Sequence, residues 1–412
     1  MKKIIFVTKS SMRFDSRVKK ISNSLHNAGY DLTVVAEKKY KDLSYKEHDT
    51  YLLKRLFTVS GLYAKEDSFN PISQSYSTKK RKSLKSIIKN CKLRILIIVF
   101  LNRIIWNTLC FIELVKKRYD LIIARDPNTL IVTYLASIIT RKPVFYECHE
   151  IWSSSNLYLN SSRFMQWVWD TAEKLITPKL DCVLITTETK KRIMEEKFNI
   201  SGVVVLRHTL PLYELKQDEI CDLHAEFDIP KTNKILIYHG QVSRIRGVFD
   251  LVEAARSLAN VSVVFMGMGN DIVELANYIE DEQINNVFFK KPVPPEQVVP
   301  SIAGADIGVQ PFHYTENIYS ETSNKLFECM MAELACIGIS FPEIKAVIEG
   351  KQIGLCYESG NVDMLRKQIE LLTTDEELLA KSKANSKKYK REFTWEEDEK
   401  ILLERVYETI GN

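Results

Sequence analysis

The chain is poor in glycine, with 14 in 412 residues, and contains no Gly-x-Gly-x-x-Gly. A dinucleotide turn needs those glycines so that backbone can approach a pyrophosphate, so that kind of site is excluded. Gly267-Met-Gly269 is the nearest approach, and a tight strand-to-helix turn explains it. The eight cysteines are scattered, with no Cys-x-x-Cys and no histidine at zinc spacing. A zinc module and a disulfide scaffold are thereby excluded, and a reducing compartment is expected. No Asp-x-Asp ligand pair occurs, and neither metal nor cofactor is expected. Apolar stretches are short or interrupted: Asn102, Arg103, Asn107 and Glu113 break the longest, which argues against a spanning helix. Met-Lys-Lys-Ile-Ile-Phe-Val at the start has too short an apolar core for a signal peptide and reads as a strand, so a cytosolic protein is expected.

What is present is ordinary globular composition, 45% apolar and 27% charged, in a chain long enough for two domains. Net charge is +5, unevenly spread: between Lys79 and Arg118 there are twelve Lys/Arg and one acid, Glu113. The cluster at 79–94 leads into an amphipathic pattern over 95–116. It fits adsorption to an anionic bilayer, at about 1 kcal/mol per basic residue near the surface. A solvated charge run before a core helix is the other reading, and the better one for 100–116. Nucleic acid is a poorer partner, because the cluster lacks interleaved aromatics.

Strand, loop and helix alternate from Lys3 onward, the order of a doubly wound parallel sheet, whose functional loops lie at the strands' carboxyl ends. Arg13, Asp15 and Arg17 follow the first strand, and Asp15 is also a candidate helix cap. Residues 40–78 read as loops and an edge strand. A later strand ends in Tyr146-Glu-Cys-His149-Glu150, and a histidine and a glutamate there sit where such a sheet presents catalytic groups. Trp152, Trp167 and Trp169 read as packing residues in a helical connection. In the second half, Gly240-Gln-Val-Ser-Arg-Ile-Arg-Gly247 joins a strand to a helix. Its backbone amides with Arg244 and Arg246 make a plausible phosphate clamp. Ser323 caps a helix on which Asn324, Lys325 and Glu328 share one arc, while Phe327, Met330, Met331 and Leu334 take the opposite side. A lysine in the first turn can meet a phosphate, and a carboxylate one turn on can accept both hydroxyls of a ribose. This pattern reads as a nucleotide-diphosphate site; an amphipathic helix with a solvated polar face is the competing reading.

The segment Ser323-N-K-L-F-E-C-M-M-A-E-L-A-C-Ile337 resembles the P-N-K-L-F-E-Y-M-A-A-G-L-P-V-I of retaining glycosyltransferases of family 4. The Y-E-C-H-E, D-S-R-V and Gly240–Gly247 segments resemble that family's Y-D-x-H-E, D-x-R-V and G-R-x-x-x-x-K-G. The resemblance implies an α/β protein of GT-B fold, two doubly wound Rossmann-like domains facing across a cleft. An acceptor domain would take 1–208 plus about 393–412, with the last helix crossing back to it, and a nucleotide-sugar domain 209–392. It implies donor contacts from Gly240, Gln241, Arg244, Arg246, Val293, Asn324, Lys325, Glu328 and Glu321, with His149 and Glu150 at the reacting centre and Arg13, Asp15 and Arg17 on the acceptor side. Several positions depart from the pattern. Ser320 stands where the first motif glutamate falls, with Glu321 one place late. Gln241 replaces an arginine, whose charge Arg244 is expected to supply, and Glu333 and Ala335 replace glycine and proline. The implied activity is sugar transfer from a nucleotide-diphosphate donor to a lipid-linked or envelope saccharide (lipopolysaccharide, capsule or exopolysaccharide) at the inner face of the cytoplasmic membrane. A nucleotide-sugar 2-epimerase of the same fold and a non-catalytic, membrane-associated sugar-nucleotide-binding protein are the rivals.

Overall fold

Alternating strand and helix patterns produce two sheets, one in each half of the chain. The computed structural model describes residues 1–10, 15–37, 52–56 and 101–411. In the first sheet the strands lie in the order β3 (Leu52–Leu56), β2 (Asp31–Glu37), β1 (Lys3–Val7), β4 (Leu121–Arg125), β5 (Val144–Glu147), β6 (Cys182–Ile185) and β7 (Val204–Val205). The pairings from β3 through β6 are parallel, with Ile4 opposite both Leu32 and Leu121. The second sheet runs β10 (Val287–Lys290), β9 (Val261–Met266), β8 (Lys234–His239), β11 (Ile307–Gln310), β12 (Ala335–Ile339) and β13 (Gly354–Tyr357), parallel throughout. The central strands Ile4–Val7 and Ile235–Tyr238 are continuous apolar runs with no exposed surface, as strands covered by helices on both faces must be. In each sheet the strand order reverses at one place, β1 beside β4 and β8 beside β11.

One compact unit comprises Met1–Leu184, Glu195–Val204 and Leu402–Asn412; the other comprises Ile185–Met194 and Val205–Ile401. The terminal helix Trp395–Ile410 belongs to both, and its bonds explain why. In its first turns the buried Asp398 accepts from Arg207 at 2.9 Å and from the Thr209 hydroxyl at 2.5 Å, and the Trp395 N–H donates to the Leu210 carbonyl. Beyond Leu402, Arg405 bonds to Cys182, and the Tyr30 hydroxyl donates to the Gly411 carbonyl.

Some local expectations shift. Of 40–78 only Leu52–Leu56 is described, as the edge strand β3. Trp152 and Trp169 pack edge to face at 5.2 Å, whereas Trp167 is 63% exposed and stacks on the equally exposed Phe164 at 6.1 Å. The helix Pro342–Ile348 opens on a proline, whose fixed backbone angle suits a first helical position.

The helix Asn324–Met331 ends at a non-glycine residue in the left-handed region, Glu333 with φ 59°. That is the position where glycine is usual, and a side chain there costs about 1 kcal/mol. Glu333 offsets this by accepting from Lys387 and Lys390, both at 3.0 Å, and Lys390 is a buried cation. Glu333→Ala keeps the strain and removes the carboxylate. It should lower stability by about 2 kcal/mol in denaturant unfolding, less than for a fully broken buried pair because Glu214 remains near Lys390. Glu333→Gly should recover part of that loss; a glycine variant less stable than the alanine one would contradict this account.

Candidate functional site

Ligands of open parallel sheets lie beyond the carboxyl ends of the strands, at the reversal of strand order. In the second unit β8 ends there in His239 and Gly240, and β11 leads into Pro311 and Phe312. The helix Asn324–Met331 points its start at the same place. Ser323 caps it, its hydroxyl accepting from the Lys325 N–H at 3.3 Å, and burial of Leu326, Phe327, Met330 and Met331 fixes its rotation. Each of those side chains contributes about 2 kcal/mol. The polar arc is therefore held toward a pocket of about 400 Å³. Gly240, Gln241, Val293, Asn324, Lys325 and Glu328 line it together with His239, Met266 and Met268. Six residues drawn from three separate stretches of sequence thus converge.

Lys325 Nζ lies 5.6 Å from the centre of the Phe312 ring, and the Arg246 guanidinium 5.0 Å from the same centre. Burial and the neighbouring charge of Arg246 push the Lys325 ammonium down to about 8, against the partial support of Glu328. The Glu328 carboxylate accepts from His239 Nε2 at 2.7 Å. Burial would raise its pKa, but the bond and charge of His239 and the charge of Lys325 outweigh it and hold the group below its usual range. Gly240 has φ +109°, and a Cβ there would lie 2.4 Å from Lys325 Cε, so the lysine passes over bare backbone.

Two expected donor contacts are not in this group. Arg244 is turned outward: it pairs with Glu274 at 2.5 Å, stacks on Phe249 at 4.1 Å, and its N–H donates to Asp271. It does not supply the charge absent at Gln241. Glu321 forms an ion pair with the buried Lys190 instead of lining the pocket. Ser320 is buried, and its carbonyl accepts from the Thr187 hydroxyl at 2.7 Å.

In the first unit the reversal between β1 and β4 gathers a second set. Arg17, expected on the acceptor side, is 1% exposed and locked to the buried Glu147, so no acceptor reaches it. Glu147 also accepts from Arg125 at 3.2 Å, and Arg125 lies 3.4 Å from Asp15 and 3.6 Å from Asp126. Burial opposes ionisation of Glu147, but Arg17, Arg125 and His149 overcome it and bring it to about 2. Asp15 caps the following helix through the Val18 N–H, and its second oxygen faces Arg125. His149 and Glu150 are half-buried just past β5, and the Glu150 carbonyl accepts from the Cys148 thiol. Arg13 lies outside the described residues.

Three residues of these sites carry no motif. His239 and Phe312 are the residues at or just past the ends of β8 and β11, a signal in strand position alone. Asp126, at the end of β4, has φ 57° and ψ 160°, a conformation costing about 1–3 kcal/mol outside glycine. Partial burial raises its pKa, Arg125 lowers it, and the charges of Glu147, Asp15 and Glu150 raise it further, to about 7.

The family model described as Glycosyltransferase Family 4 matches residues 16–208, and that described as Glycosyl transferases group 1 matches residues 220–389. The two matches take in both sheets apart from β1, and the chain belongs to the family 4 glycosyltransferases of GT-B fold. It is 28% identical over 108 residues to the processive diacylglycerol alpha-glucosyltransferase of Acholeplasma laidlawii, covering 26% of this chain and 30% of that enzyme. The match thus spans under a third of that relative's length. Among solved structures, sucrose-phosphate synthase of Thermosynechococcus elongatus is similar with a TM-score of 0.71 and 14% identity, over 99% of this chain and 98% of that one. HepE of Anabaena in complex with UDP is similar with a TM-score of 0.72 and 14% identity, over 99% and 100%.

Gly240→Ala should displace Lys325 and reduce nucleoside-diphosphate affinity at least tenfold, one lost charge-assisted bond being worth about 1.5–3 kcal/mol. Unchanged affinity in calorimetric titration would show that the close approach of Lys325 to this backbone is immaterial.

Proposed function

We propose that this glycosyltransferase is a retaining enzyme moving a sugar from a nucleotide-diphosphate donor to a hydroxyl of a lipid-linked glycan or other envelope saccharide, as in lipopolysaccharide, capsule or exopolysaccharide synthesis. The observation that carries this reading is the pairing of Arg246 and Lys325 over Phe312, one turn from a Glu328 held by His239. Two cations close enough to lower the pKa of one of them are the complement of a diphosphate, and a fixed carboxylate beside them suits the two hydroxyls of a ribose. As the glycosidic bond of the donor breaks, negative charge grows on the leaving diphosphate, and Arg246 and Lys325 stabilise it there. Asn324 contributes its backbone N–H at the helix start, and Val293 offers backbone to the base. His149 and Glu150 serve the reacting sugar and the acceptor hydroxyl, and Asp15 steadies the acceptor-side loop. Neither metal nor cofactor enters this scheme. HepE with UDP fits a nucleoside-diphosphate donor, and the name of the Acholeplasma laidlawii relative fits an acceptor carried on lipid.

The reading also places the protein peripherally at the inner face of the cytoplasmic membrane. Among the described residues no helix is long and apolar enough to cross a bilayer. The basic stretch 79–94, taken as an electrostatic contact, lies outside the described residues together with 95–100.

Lys325→Ala and Arg246→Ala should each weaken nucleoside-diphosphate binding by about 10- to 100-fold; wild-type affinity in both would remove the assignment. A lysine lowered to about 8 carries its charge below that value and loses it above. Affinity should therefore fall as pH rises through about 8, and Lys325→Arg should flatten the profile. A wild-type profile level from pH 7 to about 9 would contradict a charged-lysine contact.

A further inference from the structure

In the first unit another pair of cations stands at the catalytic ends of the strands. Lys9 lies just past β1, and its Nζ sits 5.1 Å from the centre of the buried Trp106 ring. Arg103 precedes Trp106 by one helical turn on the helix over 101–116, which puts the two side chains on one face. The Arg103 guanidinium donates to Asn128 Oδ1 at 3.2 Å and to Met165 Sδ at 3.6 Å, and lies 5.0 Å from the centre of the Trp169 ring. Asn128 is in the first turn of Pro127–Thr140, directly beyond β4, and Met165 is in the first turn of Arg163–Ile176. The loop after β1 and three helices thus bring two half-buried cations to the end of the sheet that also carries His149 and Glu150.

Everything these cations touch is neutral. Among the described residues neither has an ion pair; their partners are an amide, a thioether and the faces of two indoles. Glu37, the last residue of β2, supports both charges only from a distance. Burial and the charge of Arg103 push Lys9 down to about 8, and burial lowers Arg103 from its usual value as well. The Trp106 Nε1 donor is buried without a partner. An excess of desolvated donors over acceptors is the pattern of an anion site. It repeats the arrangement of Lys325 and Arg246 over Phe312, where two cations also share aromatic surface. Phe164 and Trp167, stacked and exposed, open the helix that holds Arg103. Apolar surface beside the charge suits an ester of phosphate over the free ion.

We propose that Lys9 and Arg103 bind a phosphate group carried by the acceptor, so that the molecule receiving the sugar is a phosphate ester. The proposal rests on the glycosyltransferase reading above and narrows its acceptor: a saccharide without phosphate leaves both cations unmatched. A guanidinium fork and an ammonium on either side of one phosphate satisfy its oxygens and remove the mutual repulsion of the pair.

The test is calorimetric titration of the full chain carrying Arg246→Ala and Lys325→Ala, which takes the donor site out of the measurement. The probes are glucose 1-phosphate, inorganic phosphate, glucose and glucuronate. Glucose 1-phosphate should bind and glucose should not. Adding Lys9→Met or Arg103→Met should weaken glucose 1-phosphate binding at least tenfold, and Lys9→Arg or Arg103→Lys should keep most of it. Unchanged affinity in both methionine variants, or no binding at millimolar probe before they are added, would overturn the proposal. Inorganic phosphate bound more tightly than glucose 1-phosphate would rule out the acceptor as the source and leave a free-phosphate site. Glucuronate bound as tightly as glucose 1-phosphate would rule out phosphate as the group recognised. Stability gives an independent readout. Lys9→Met in the otherwise unchanged chain removes one of two repelling cations, so its melting temperature should hold or rise; a clear fall would make Lys9 a structural cation and defeat the proposal. Nucleoside-diphosphate affinity should be wild type in that chain. The donor-site reading therefore stands or falls on Lys325 and Arg246, separately from this one.

Discussion

The second unit is organised around an unresolved repulsion. Arg246 and Lys325 are brought against one aromatic ring, and the lysine is buried enough to drop to about 8. The nearby carboxylate, Glu328, is already committed to His239. A folded chain tolerates such an arrangement only if neighbouring structure over-determines it, and here it does. The buried side of the helix Asn324–Met331 fixes where Lys325 starts, bare backbone at Gly240 lets it pass, and the β8–β11 pair brings the loop of Arg246 alongside Phe312. An anion between the two cations would relieve the repulsion.

The first unit solves the opposite problem at the matching place in its own sheet. Three carboxylates crowd two guanidiniums: burial, with the charges of Glu147, Asp15 and Glu150, raises the Asp126 pKa to about 7, while Arg17 and Arg125 overcome burial and bring Glu147 to about 2. Asp126 also holds an unusual backbone conformation ahead of Pro127. Arg17, in the first turns of the helix Ser16–Asn27, is buried in this cluster, while Asp15, His149 and Glu150 stay partly exposed. The same fold element, a reversal of parallel strands, thus supports a cation-rich site in one unit and a carboxylate-rich one in the other.

Much of this was legible in the residues. Period and capping located the helix Asn324–Met331, because its buried and polar faces are cleanly separated, whereas the grouping of Gly240, Val293 and Lys325 was an expectation of the family resemblance alone. Charge without geometry was the weak point. Arg17, Arg244 and Glu321 sit at motif-like positions, yet each found a local partner of opposite sign, Glu147, Glu274 and Lys190, that lies distant in sequence or on another element. His239 and Phe312 belong to no motif; only the strand register brings them to the site. Glu333 shows a departure from pattern absorbed by compensation, its left-handed backbone offset by the buried Lys390. The core-helix reading of 100–116 holds for Trp106, Cys110 and Leu114, which are buried, but not for Ile104, Leu109 and Ile112, which are exposed: a helical period tells which residues share a face, not whether anything covers it.

The central claim is that Lys325, Arg246 and Glu328 together form a nucleoside-diphosphate site. A crystal structure of the full chain with a nucleoside diphosphate tests it most directly. The account predicts diphosphate oxygens within hydrogen-bond distance of both Lys325 Nζ and the Arg246 guanidinium, with the ribose hydroxyls on Glu328 while His239 keeps its own bond to that carboxylate. A nucleotide bound elsewhere on the molecule, with these three side chains left as they stand, would contradict it.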